Sequence, residues 1–295
     1  MNKALAEIIA GLIPCKMARN RWRGILRYGL CNAIRLKRTI KANHTAPDCY
    51  LAICAIAKNE GPYFPEWIEW HLAHGVEKFY IYDNESTDDT KDILTPYTKQ
   101  GVVEYKYWPG RKMQLKAYDD CLACHRFSAR WIAFIDLDEF IVPLKDATIT
   151  AFLKRHETAP AVEINWLIYG SSGRKTKTTG TVMERFKRHS LPQHPLNRHV
   201  KSIVNPRRVF NMIGCHEAAR ISGHAADAHG NPVRKNFRNR EPQQDVIRIN
   251  HYAVKSYEEF CNKRNRGRAR TNTFRTDDYF SQYDLNDMEG EEVNA

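Results

Sequence analysis

The sequence predicts an α/β fold, an open and mostly parallel sheet flanked by helices, with a basic helical arm ahead of it. Two observations carry this. Continuous apolar runs suited to strands covered on both faces alternate with segments of helical period, the signature of a parallel sheet with crossover helices. Polar and acidic residues follow directly on those runs, where open sheets of this kind bind ligands beyond the carboxyl ends of their strands. At 295 residues the chain has room for one large domain or two small ones. With 42% hydrophobic and 11% aromatic residues it can bury a substantial core, which excludes extensive disorder.

Residues 1–45 form the arm. Ten Lys and Arg residues between Lys3 and Lys41 face a single acid, Glu7, so this segment holds most of the net charge of +12. Leu5, Ile8, Ile9, Leu12 and Ile13 recur at helical spacing, and Trp22, Ile25, Leu26, Leu30 and Ile34 continue an apolar stripe among arginines. Interfacial amphipathic helices have this pattern, and an anionic membrane surface is its natural partner. The apolar stretch from Ala4 to Ile13 is too short for a bilayer span and contains Glu7. It is followed by basic residues and no small-residue cleavage site, so it does not read as a secretory signal. The expected location is cytoplasmic, peripheral on the inner face of the membrane.

The main domain is expected over 46–270. Leu51 to Ala57 is the first strand; Pro65 opens a helix with Phe64, Trp67, Ile68, His71 and Leu72 on one face, and Gly75 ends it. Lys78 to Tyr82 is the second strand. Ser86 to Thr90 start a helix carrying Ile93, Leu94 and Tyr97, Gly101 closes it, and Val102 to Tyr107 is strand again. A helix from about Lys112 to Phe127 leads to a fourth strand, Trp131 to Ile135. Ala161 to Tyr169 reads as a strand, Gly170 to Gly180 as a loop, Arg185 to Asp245 shows no clear period, and Tyr257 to Ala269 is helical. The segment 271–295 is expected to be a C-terminal tail, mobile in its acidic end from Asp287. No internal repeat is present. Eight scattered cysteines suit reduced thiols, and the lone Cys121-x-x-Cys124 pair has no second pair to complete a zinc site.

The sharpest chemical feature is Trp131-Ile-Ala-Phe-Ile-Asp136-Leu137-Asp138-Glu139-Phe140, an apolar strand running into two aspartates one residue apart. In extended chain, side chains two apart point the same way, so Asp136 and Asp138 project together while Leu137 faces the core. Two hard carboxylates aimed at one point suit Mg2+ or Mn2+, which keeps other positions for water and phosphate oxygens. Asp83, ending the second strand before Asn84-Glu85-Ser86-Thr87-Asp88, can accept from a nucleobase or ribose hydroxyl, and Lys58-Asn59-Glu60 after the first strand would border the same nucleotide.

Taken in order, Ala55-Ile-Ala-Lys58-Asn59-Glu60, Tyr82-Asp83-Asn84-Glu85-Ser86-Thr87-Asp88, Gln114 in Arg111-Lys-Met-Gln-Leu, and Ile135-Asp-Leu-Asp-Glu-Phe140 resemble glycosyltransferases of the family 2-like and family 92 group. Asn165-Trp-Leu-Ile-Tyr-Gly170-Ser-Ser-Gly173 and Asn250-His251-Tyr-Ala-Val-Lys255 resemble its later motifs, so the likeness covers roughly residues 50–270. The resemblance implies a GT-A fold, an inverting glycosyl transfer, and a nucleotide-sugar donor, preferably a UDP-sugar, with galactose one candidate. The acceptor would be a glycan or glycolipid of bacterial surface polysaccharide or lipopolysaccharide. It places Lys58, Asn59, Glu60, Asp83, Gln114 and Lys255 around the donor, and Asp136, Asp138 and His251 at the metal, with His216 competing for the histidine's role. Glu184, or else Glu217, would be the base that takes the acceptor proton. Lys201, Lys255, Lys263 and Arg264 could neutralise the diphosphate, and Trp166 could stack on a sugar.

Two rival classes stay open on the residues alone. A positive charge of this size also fits nucleic-acid binding, although no zinc finger, RNP-type strand or basic-region motif accompanies it, and no nucleic-acid partner is expected. A sugar-phosphate nucleotidyltransferase shares the alternating sheet and the metal, but its Gly-rich basic loop after the first strand is missing from Ala57-Lys58-Asn59-Glu60.

Overall fold

The computed structural model describes residues 3–265 and 274–290. Three helices open the chain: α1 (Lys3–Gly11), α2 (Lys16–Tyr28) and α3 (Leu30–Ala42). The domain then runs β1 (Cys49–Ala57), α4 (Phe64–Ala73), β2 (Lys78–Asp83), α5 (Thr90–Lys99), β3 (Val103–Tyr107), α6 (Gln114–His125), β4 (Ala129–Phe134), β5 (Glu139–Pro143), α7 (Ile149–Lys154) and β6 (Ala161–Ile168). It continues with α8 (Val182–Arg185), β7 (Arg188–His189), β8 (Val200–Val204), β9 (Val209–Met212), β10 (Ala218–Arg220), β11 (Ile247–His251), α9 (Tyr257–Asn265), α10 (Asp277–Tyr283) and β12 (Met288–Glu289).

Eight strands form one sheet in the order β3-β2-β1-β4-β8-β6-β11-β5. β3, β2, β1 and β4 are parallel, β8 runs antiparallel to both β4 and β6, β11 is parallel to β6, and β5 is antiparallel to β11. This is the open, mostly parallel α/β sheet flanked by helices that the sequence predicts. β1 shows why its run is apolar throughout: Leu51, Ile53 and Ala55 join the core beneath Phe64, Trp67 and Ile68 of α4, while Ala52, Cys54 and Ile56 join the opposite core beneath Tyr118, Cys121 and Leu122 of α6. Gly75 ends the α4 turn at φ +88°, a conformation costly for other residues, and a Cβ there would meet Thr150 at 2.6 Å. α4 is pinned to β5 by Trp67 Nε1 donating to the Glu139 carbonyl (2.9 Å) and Trp70 Nε1 to that of Ile141 (3.1 Å).

Three strands of this sheet, and the short strands β7, β9, β10 and β12, lie where no strand was expected. β5 and β11 are five-residue strands flanking the acidic turn, and β8 falls in the segment without period, because Lys201 and Ser202 interrupt its apolar pattern although both are buried. The span expected to be a C-terminal tail is ordered packing from 277 to 290: α10 stacks Tyr279 on Phe260 of α9, and β12 pairs antiparallel with β7. Asp284 and Asn286 accept from the backbone N–H groups of Ser171 (2.6 Å) and Ser172 (2.8 Å), fastening the Gly170–Gly180 loop. Residues 266–273 and 291–295, including the expected end of α9 and of the tail, lie outside the described residues.

The arm packs on the β9–β10 hairpin. Ile25, Ala33 and Leu36 bury against Phe210 and Ala219, and Gly24 is the contact point, since a Cβ there would stand 2.5 Å from Phe210. Leu5, Ile8, Ile9, Leu12, Trp22, Leu30 and Ile34 remain exposed. Among the described residues no helix is long and apolar enough to cross a membrane.

Candidate active site

A cavity of about 350 Å³ opens at the carboxyl ends of β1 and β4. Lys58, Glu60, Gln114, Asp136, Asp138 and His251 line it, so most of the residues singled out in the sequence meet there. Lys201 and Lys263, expected near a diphosphate, line it too. The aspartates arrive from a tight turn rather than an extended chain, with the Glu139 N–H donating to the Asp136 carbonyl at 3.1 Å, and Leu137 still packs into the core.

Asp136 and Asp138 have different surroundings. Asp136 accepts from Gln114 Nε2 (3.0 Å) and from Lys201 Nζ (2.7 Å). Lys201 also lies 3.1 Å from Glu139, whose carboxylate accepts from the Asp136 N–H. Burial works against the Lys201 charge, but Asp136 and Glu139 outweigh it and hold the ammonium well above its ordinary value. Asp138 is buried beside Lys263, whose Nζ donates to Asp138 Oδ2 and to the Ala253 carbonyl (2.8 Å). His251 Nε2 lies 3.6 Å from the same carboxylate oxygen. Burial alone would raise the Asp138 carboxyl, yet Lys263 and His251 hold it well below the usual range. Burial lowers Lys263 to about 8 and also lowers His251, in each case opposed by Asp138.

The donor set suits a divalent cation. A carboxylate oxygen and an imidazole nitrogen face one another across a gap too wide for a hydrogen bond, and an ammonium already stands in as a cation on that oxygen. Among the described residues no group of three or more His, Cys, Asp or Glu forms a fuller shell. Two protein ligands would leave the remaining positions to water and phosphate, as hard divalent ions commonly do. His216 lines the same cavity, but its Nδ1 donates to the Val200 carbonyl at 2.7 Å and its ring packs on Trp166.

Other expected residues fall around the rim or away from it. Asn59 and Lys255 line a smaller cavity of about 270 Å³ alongside, both at positive φ, with Lys255 over the Tyr63 ring. Asp83 is buried and satisfied within the fold, accepting from the Ser86 N–H (2.9 Å) and the Tyr105 hydroxyl (2.5 Å), and it does not line the main cavity. Glu184 is an exposed residue of a capping box with Thr181, and neither it nor Glu217 is among the cavity-lining residues. The Glu184 carboxyl is lowered by its bonds to Thr181, which suits a helix cap rather than a general base.

Sequence reasoning missed His199, Cys215 and Arg238 on one wall, and Arg275, Tyr279 and Tyr283 on another. The i, i+4 spacing of Tyr279 and Tyr283 was the available signal for a packed helix. Trp166 stacks on His199 (centroids 4.9 Å apart, 18° between planes) and touches the His251 ring at 4.3 Å, while its Nε1 has no hydrogen-bond partner among the described residues.

Residues 51–289 match the sequence profile of glycosyltransferase family 92. The chain belongs to glycosyltransferase family 92. A glycosyltransferase family 92 protein of Ricinus communis is 27% identical over 72% of this chain and 37% of its own length. The galactan beta-1,4-galactosyltransferase GALS2 of Arabidopsis thaliana is 28% identical over 54% of this chain and 33% of its own. The beta-1,4-galactosyltransferase galt-1 of Caenorhabditis elegans is 23% identical over 65% and 44%. This family 92 chain thus spans about a third to under a half of the length of these relatives. Among solved structures, Staphylococcus aureus TarS 1–349 in complex with UDP aligns over 53% of this chain and 47% of its own, at a TM-score of 0.37 and 14% identity.

Proposed function

We propose that this chain transfers a sugar, with inversion, from a nucleoside-diphosphate donor to a hydroxyl of a glycan or glycolipid. The observation that carries this is the gathering of Asp136, Asp138 and His251 with two buried lysines on one cavity at the carboxyl edge of the sheet. The donor is a UDP-sugar on the resemblance read in the sequence, and the galactosyltransferase names of two relatives favour galactose. Bacterial surface polysaccharide or lipopolysaccharide, expected from the sequence, gains no support from relatives of plant and nematode origin.

Asp138 and His251 would hold Mn2+ or Mg2+, which supplies positive charge to the departing diphosphate. Lys201 holds one oxygen of Asp136 in place, and Gln114 orients the other. Lys58 and Glu60 on the floor of the cavity, with Asn59 and Lys255 beside it, border the nucleotide. For the acceptor proton, His216 replaces Glu184 in our reading. The Val200 carbonyl can only accept, so the ring donates from Nδ1, and the side chain lines the main cavity. Trp166 offers an aromatic face on the same wall.

The arm holds the enzyme on an anionic membrane, with the basic residues near headgroups and the exposed apolar residues among acyl chains. This places the domain 46–270 at a cytoplasmic membrane face, where a glycolipid acceptor would meet it. Purified protein with Mn2+ and a panel of nucleotide sugars, read by nucleotide release and by NMR of the product's anomeric proton, tests the transfer. No release from any donor, or a product of retained configuration, counts against it. Co-sedimentation with phosphatidylglycerol vesicles, with and without residues 1–42, tests the anchor, and equal sedimentation of both forms refutes it.

A further inference from the structure

We propose that Lys263 is a built-in placeholder for the cation: without donor its ammonium occupies the cation's position on Asp138, and it gives up that position when metal and nucleotide arrive. The proposal rests on reading Asp138 and His251 as the cation site.

Three observations point to it. First, the Asp138 oxygen that Lys263 holds is the same Oδ2 that faces His251 Nε2 at 3.6 Å. Two ligands on neighbouring positions of one ion, with bonds of about 2.1–2.3 Å, stand roughly 3.0–3.5 Å apart, so an ion shared by Asp138 and His251 would compete with the ammonium for that oxygen. Second, the placement is needed for charge. Asp138 is buried, and an ionised carboxylate removed from water without a partner is costly, so a metal-free site requires some cation there. Lys201 cannot serve, because it is spent on Asp136 and Glu139. Third, Lys263 has somewhere to go. It lies on the boundary of both cavities, so rotation of its long side chain would carry the ammonium from Asp138 into the smaller one beside Asn59 and Lys255. There its charge would add to that of Lys255 near the nucleotide.

A lysine tethered in the last turn of α9 competes with metal at high effective concentration. Free metal should therefore bind weakly until a diphosphate draws the lysine away. Metal and nucleotide would bind cooperatively, with a coupling that depends on Lys263.

The test is Mn2+ binding without turnover, read by electron paramagnetic resonance of free Mn2+, for wild type, Lys263→Met, Lys263→Gln and Asp138→Asn. Each is titrated with and without UDP, and far-UV circular dichroism confirms folding. In the absence of UDP, both Lys263 variants should bind Mn2+ at least tenfold more tightly than wild type, and Asp138→Asn should bind none. UDP should tighten Mn2+ binding to wild type more than to the Lys263 variants. Added MnCl2 should raise the melting temperature of Lys263→Met more than that of wild type. Lys263 variants binding Mn2+ no more tightly than wild type would overturn the placeholder and leave the metal site standing. Absence of binding by every form, even with UDP, would overturn the metal site and the placeholder with it.

Discussion

Replacing Glu259 with Gln should unfasten α9, the helix that carries Lys263 one turn further on. The Glu259 carboxylate receives both terminal nitrogens of Arg185 (2.8 and 2.9 Å), the Tyr63 hydroxyl (2.9 Å) and the Ser256 hydroxyl (2.6 Å). The side chains of Arg185 and Glu259 are only 5% and 2% exposed, so a neutral amide leaves a guanidinium buried without its counter-charge. Breaking such a pair from one side costs about 3–5 kcal/mol, a large part of the roughly 5–15 kcal/mol that stabilises a folded domain. The loss should also depend on pH. Burial would raise the Glu259 carboxyl, but Arg185 and Ser256 bring it down to about 2, below the roughly 4.3 of an unfolded glutamate. A lowered carboxyl stabilises the fold fully above about pH 4.5, and that stabilisation drains away as pH falls toward 2. Allowing for partial screening by solvent, this linkage amounts to about 2 kcal/mol. Urea unfolding followed by tryptophan fluorescence at pH 7, 5 and 3.5 would measure both effects. The gap between wild type and Glu259→Gln should be widest at pH 7 and narrow below pH 4.5, and Arg185→Met added to Glu259→Met should recover more than half of the loss. A gap under about 1 kcal/mol at pH 7, or one unchanged down to pH 3.5, would refute the reasoning.

Four further outcomes are expected. Asp138→Asn should lower nucleotide release from the donor by about 100-fold or more while the protein still folds, as removal of a charge-stabilising group typically does; full activity would remove the cation site. Lys201→Met strands the buried Glu139 beside Asp136, and a loss of about 3–5 kcal/mol in denaturant unfolding is expected, with Glu139→Gln added to it losing less. Glu184→Gln should leave transfer unchanged and cost under about 1 kcal/mol, because only the Thr181 capping box is disturbed; a selective loss of transfer would restore it as the base. Gly24→Ala drives a methyl group into Phe210 and Ala219, so a loss of about 1–3 kcal/mol at the arm contact should appear as faster proteolysis within residues 16–42 than in wild type.

The parallel half of the sheet was legible because β1, β2 and β4 are buried on both faces, and burial without polar partners writes itself as an unbroken apolar run. β8 was not legible for the opposite reason. Lys201 and Ser202 are buried because Asp136, Glu139 and the His216 carbonyl satisfy them, and the partners of Lys201 lie far off in the chain. The acidic pair was readable from its place after an apolar strand, but the pairing of Asp138 with Lys263 spans 125 residues and no spacing rule reaches that far. Asp83 ends a strand where ligand contacts are common, and no spacing rule could show that the hydroxyl of Tyr105, on the neighbouring strand, donates to it. Acidic residues made 277–290 look like a solvated tail, and the aromatic pair Tyr279 and Tyr283 was the counter-signal.

The β9–β10 hairpin has two employers. Phe210 and Ala219 serve the arm, while Cys215 and His216 in its connecting turn form part of the cavity wall. A tug on the arm at its landing place is therefore felt in the wall of the main cavity, and no bulky substitution can improve the grip on one side without re-shaping the opening on the other.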